Sequence, residues 1–88
     1  MKNNKNTKDL TENFNTITKG MTANQFVDNI DTVYDKFIEI CPLDEDGDTV
    51  DHVIFMGIVF NANREFYNEF ENRLENGDFN LIEWNDAF

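Results

Sequence analysis

The side chains that could carry covalent or metal chemistry are few in this sequence, and none stands in a working pattern. There is one Cys, one His and no Ser. Cys41 falls on an apolar helical stripe, where a thiol is usually inert packing. His52 opens an apolar run, the position of a capping or core histidine. No His and Cys cluster offers metal-ligand spacing. Gly20, Gly47, Gly57 and Gly77 are isolated, so no glycine-rich phosphate cradle forms. Carboxylates abound, but a carboxylate-pair hydrolase needs one carboxyl with a raised pKa in a cleft. A helical chain of 88 residues seldom provides such a cleft. The expectation is a non-enzyme that needs no cofactor and no metal.

The carboxylates themselves are the informative residues. On a helix through residues 23–41, Asp28, Asp31, Asp35 and Glu39 fall within an arc of about 80°, opposite the apolar residues. Only Lys36 stands near to relieve their repulsion. The segment PLDEDGDTVD then brings Asp44, Glu45, Asp46, Asp48 and Asp51 together. Its D-x-D-G-D start is like that of a calcium loop. An EF-hand needs Gly at loop position 6, an apolar residue near 8 and Glu at 12. Counted from Asp44, those positions hold Thr49, Asp51 and Phe55, so a tight calcium site is not expected. The plain reading of the loop is an acidic turn capping the next helix through Asp48 or Thr49.

These residues need elements to hold them. Residues 1–8 read as a disordered basic tail, and 9–88 as one acidic helical domain. Leu10, Phe14, Ile17 and Met21 share one face of a helix spanning about 8–19, with Thr7 as its cap and Gly20 as its stop. Thr22 and Gln25 form a capping-box pattern. The helix they open carries Phe26, Val27, Ile30, Val33, Tyr34, Phe37, Ile38 and Cys41 on one side, and Pro42 ends it near 41. Residues 50–60, VDHVIFMGIVF, contain the continuous apolar run Val53 to Phe60 and suit a buried helix or a buried strand. With no turn signal before Phe66, Tyr67, Phe70 and Leu74, one long helix over 49–76 is favoured, ending at Asn76-Gly77. A strand at 52–60 leading into a helix at 62–76 is the alternative. The last segment reads as a short helix capped by Asp78, with Leu81, Trp84 and Phe88 inward, or as a strand at 79–84. The predicted fold is mostly α, a small single-domain bundle of three to four helices; the alternative is α+β, with a short sheet from 52–60 and 79–84.

Seven Lys and Arg stand against eighteen Asp and Glu, giving a net charge of −11. Apolar residues at 40% and aromatics at 14% provide a core that acidic disordered chains lack. The charge opposes direct binding of nucleic acid or of an anionic membrane. The longest apolar run is far too short to span a bilayer as a helix. The lysines of the first ten residues precede no apolar stretch, and the single Cys cannot form an internal disulfide, so a cytoplasmic setting is expected.

The acidic stripe, the acidic loop and the face bearing Glu65 and Glu69 together point to a basic protein surface as partner, such as that of a nucleic-acid-binding protein. Trp84 joins these residues as a candidate contact, because Trp is over-represented at binding hot spots. In size and sign only, the chain resembles the small acidic inhibitors with which phages and plasmids block nucleic-acid-binding enzymes: anti-restriction, anti-CRISPR and glycosylase-inhibitor proteins. It also resembles the immunity proteins that neutralise nuclease toxins. That resemblance implies a phage or mobile-element protein presenting a nucleic-acid-like negative surface in the host cytoplasm. The richness in Asn, Lys, Ile and Phe is what an AT-rich genome encodes. The alternative is a structural or assembly protein, a homodimer or larger homo-oligomer joined through the apolar segments 53–60 and 84–88.

Overall fold

The computed structural model describes residues 2–87, with side chains described from Leu10 to Ala87. The fold is mostly α. Five α-helices, α1 (Lys2–Ile17), α2 (Ala23–Asp28), α3 (Ile30–Ile40), α4 (His52–Ala62) and α5 (Arg64–Glu75), are followed by a 3-10 helix, Phe79–Ala87. Among the described residues the one extended pairing is a single antiparallel bridge, Leu43 to Thr49. The sheet alternative is therefore not realised. There are more helices than three to four because two expected continuous helices are each broken at an asparagine.

The first break divides 23–41. The capping box opens α2 as its sequence dictates: Gln25 N–H donates to Thr22 Oγ1 at 3.1 Å, and Thr22 N–H to Gln25 Oε1 at 3.0 Å. Asn29 then leaves helical geometry at φ −116°, ψ 26°. Its side-chain amide donates to the Gln25 carbonyl at 2.9 Å, competing locally with the helix ladder. The second break lies at Asn63, at φ −154°, ψ 101°. Asn63 Oδ1 accepts from Phe66 N–H and so caps α5. α4 in turn is capped by Asp51, whose Oδ1 accepts from Ile54 N–H at 2.9 Å. The expected caps Asp48 and Thr49 lie too far upstream to serve.

α1 begins at Lys2, so backbone helix covers the segment read as a tail, as well as Thr7, the expected cap. No Pro or Gly interrupts residues 2–17. The helix stops where expected, with Gly20 at φ +84°.

The core is built around Phe14. Its ring meets Phe26, Phe37, Phe55 and Phe66 edge-on, at centroid distances of 5.6, 6.4, 5.7 and 6.2 Å. One α1 side chain thus fastens the four later α-helices, and each such pair adds about 0.5–1.5 kcal/mol beyond burial. The 3-10 helix closes the remaining side. At three residues per turn, Leu81, Trp84 and Ala87 all face inward and are buried. An α-helical spacing predicts Leu81, Trp84 and Phe88 instead; Phe88 lies outside the described residues. No helix among the described residues is long and apolar enough to cross a membrane.

Candidate functional site: an acidic surface around an aromatic cluster

Trp84 is completely buried, as its inward position in the last segment predicts, so its ring is not a surface contact in the free protein. Its indole N–H donates to Asp31 Oδ1 at 2.8 Å. His52 stacks flat on the indole, with centroids 3.7 Å apart and planes 8° from parallel. Its Nδ1 lies 3.3 Å from the Glu83 carbonyl oxygen, an acceptor to which the ring donates. Tyr34 meets both rings edge-on and donates its hydroxyl to the Val50 carbonyl at 2.7 Å. The cluster thereby ties α3, the acidic loop, the start of α4 and the 3-10 helix together.

Carboxylates surround it. Burial raises the Tyr34 phenol above its ordinary pKa, and the negative fields of Asp51 and Asp35 add to the rise. Both carboxylates thus act on one hydroxyl, although they come from different elements. The 3-10 helix adds a third acidic edge. One residue round from its buried row, Asn80, Glu83 and Asp86 form an exposed row. Asn80 lies in the same shallow hollow as Asp28, Asn29 and Asp31. Asp31, Asp35 and Asp51 therefore flank one aromatic centre, and the exposed row of Glu83 and Asp86 runs along the 3-10 helix that carries Trp84. Glu83 and Asp86 were not expected at the site, because nothing in the sequence alone brings the last segment against α3 and the loop.

The predicted four-residue stripe is partly dismantled. The helix breaks at Asn29, so Asp28 lies on α2 while Asp31, Asp35 and Glu39 lie on α3, and Asp28 pairs with Arg73 at 2.7 Å. Arg73 also binds Glu69 at 2.8 Å and Asp78 at 3.3 Å, and donates to Asn24 Oδ1. Hydrogen bonds donated to Asp28 first, and then to Glu69, hold the guanidinium further into its charged form than usual. Every ion pair among the described residues converges on this one cation. Glu65 and Glu69 border a shallow groove between α2 and α5 with Ala23, Asn68 and Asn72, away from the aromatic cluster.

The loop forms a tight turn held by Asp44, whose Oδ1 accepts from Asp46 N–H at 2.9 Å and Asp48 N–H at 2.8 Å. Gly47 sits in the turn at φ +86°. Asp44 and Glu45 edge a hollow of about 470 Å³ whose other walls include Leu10, Ile40, Cys41 and Leu43. No group of three or more metal-ligating side chains occurs among the described residues. Cys41 accepts from the Asn13 amide at 3.4 Å, two helical turns from the Tyr34–His52 contact, so the structure does not bring the thiol and the imidazole together.

Comparison with known proteins leaves the chain by itself. No protein family matches it, and neither the curated proteins nor the solved structures contain a match.

Proposed function

We propose that the protein is a small acidic binding protein that occupies the basic, nucleic-acid-binding surface of another protein and so inhibits it. The observation that carries this reading is the arrangement of Asp31, Asp35, Asp51, Glu83 and Asp86 about the Tyr34–His52–Trp84 cluster. Carboxylates from α3, the loop and the 3-10 helix are held by one aromatic framework, so repulsion among them does not splay the elements apart. A preformed negative surface steers a basic partner and loses little flexibility on binding. A phage or mobile-element origin and action in the host cytoplasm belong to the same proposal.

The test is capture from lysate at low salt with the wild type and with an Asp35→Asn, Glu39→Gln, Glu83→Gln triple variant. The wild type should retain a basic protein that is released by added duplex DNA and by about 0.3 M salt. The variant should retain less. A retained protein indifferent to DNA, salt and the three substitutions refutes the reading.

A second reading, self-association, draws on α4. Val53, Gly57 and Phe60 form an exposed row on its outer face. The 84–88 half of that expected interface is weakened by the burial of Trp84 and Ala87. Sedimentation across a hundredfold concentration range decides it: self-association through α4 gives an oligomer that Val53→Asn with Phe60→Asn abolishes.

A further inference from the structure

The 3-10 helix has three rows, one buried and one bearing Glu83 and Asp86. The third is Phe79, Ile82 and Asn85. Phe79 is 86% exposed and Ile82 63%, the two most exposed large apolar side chains among the described residues. They stand together over a shallow hollow that Leu74, Gly77 and Asp78 complete. A lone exposed apolar residue means little, but two adjacent ones on an ordered element, edged by polar groups, mark a contact surface.

Their neighbours state what they contact. The row bearing Glu83 and Asp86 lies one residue round the same helix, and Asp78 stands at its start. An isologous contact with a second copy across Phe79 and Ile82 would bring Glu83 and Asp86 of both copies close together, charge against like charge. A basic surface with an apolar cleft meets both rows with complementary chemistry. We propose that Phe79 and Ile82 are the apolar anchor of this protein's interface, inserted into an apolar cleft of a basic protein partner that the adjacent carboxylates steer. The anchor deepens the function proposed above and rests on it. The carboxylates govern association, and the anchor governs dissociation.

Two synthetic helical peptides of equal length and charge, one of Lys and Leu and the other of Lys and Ala, separate the contributions. Titrated by calorimetry at 0.15 M salt, the wild type should bind the Lys–Leu peptide at least tenfold more tightly. In Phe79→Ser, Ile82→Ser that preference should fall below twofold, with the Lys–Ala affinity unchanged. Both side chains are exposed, so the variant should melt like the wild type; should it not, Phe79→Ser alone makes the same comparison. A preference that persists in the variant places the apolar contact elsewhere and overturns the anchor. Equal binding of both peptides by the wild type overturns the anchor and leaves the acidic reading standing. Binding of neither overturns both. A wild type that dimerises while the variant is monomeric overturns the proposal in favour of a second copy.

Discussion

Replacing Asp31 with alanine removes the acceptor of the Trp84 indole N–H, a bond of 2.8 Å to a completely buried ring. A buried donor left without a partner costs about 1–3 kcal/mol. Asp31 is itself exposed, so water can reach the vacated acceptor position, which favours the lower half of that range. Removing the carboxylate also relieves its repulsion with Asp35 one turn on, worth about 0.2–0.5 kcal/mol. The net loss for Asp31→Ala is therefore about 1 kcal/mol, or roughly 4–8 °C in melting temperature for a domain of this size. Asp31→Asn keeps a side-chain oxygen for the indole and removes the charge, so it should melt within about 2 °C of wild type by the same scale. Circular dichroism melts of both variants, and of each in a Trp84→Phe background, complete the cycle. In that background the penalty of Asp31→Ala over Asp31→Asn should vanish. If Asp31→Ala and Asp31→Asn melt alike in the presence of Trp84, the hydrogen bond contributes nothing and the reasoning fails.

The Tyr34 phenol has a raised pKa, so the folded state holds its proton more tightly than the unfolded chain does. That contribution is fully present below about pH 10 and is lost as pH rises through the folded value; Tyr34→Phe should flatten the fall in urea midpoint between pH 9 and 11, and an unchanged fall assigns it to other groups. Arg73→Gln removes three ion pairs from a side chain only 22% exposed, and should lower stability by about 1–2 kcal/mol in urea titrations. Asp28→Asn, whose carboxylate is largely solvated, should cost under about 0.5 kcal/mol; equal losses would disprove the hub role of Arg73. Calcium at 1 mM should add at most about 0.4 kcal/mol, the effect of a millimolar site; micromolar affinity by calorimetry would contradict the calcium-loop reading.

Local signals that rest on one residue type in one role were legible in the sequence. Thr22 with Gln25 had to cap a helix, Gly20 had to stop one, and Asp78 had to begin the last segment, where it accepts from Asn80 N–H. The breaks at Asn29 and Asn63 were not legible. Asparagine serves a helix interior poorly and a cap well, and tertiary packing decides between them. α4 is apolar on all sides, so no stripe marks its inner face, and only the packed structure separates Phe55, Met56 and Val59 from Val53 and Phe60. The carboxylates of α3 and the loop were readable as acidic. Their gathering about one aromatic cluster was not, because it depends on Trp84 and His52, residues 32 positions apart, stacking on each other.

The threefold repeat of the C-terminal helix makes its length more constrained than its composition. Loss of one residue between Asp78 and Leu81 would turn everything downstream by about a third of a revolution. Ile82 and Asn85 would then take the places of Leu81 and Trp84, and the indole would swing into solvent. Gain of one residue would send Asn80, Glu83 and Asp86 into the core. A whole turn added or removed keeps every row in register. Descendants of this chain should therefore vary freely at Asn80 and Asn85, while insertions and deletions in this segment survive only in multiples of three.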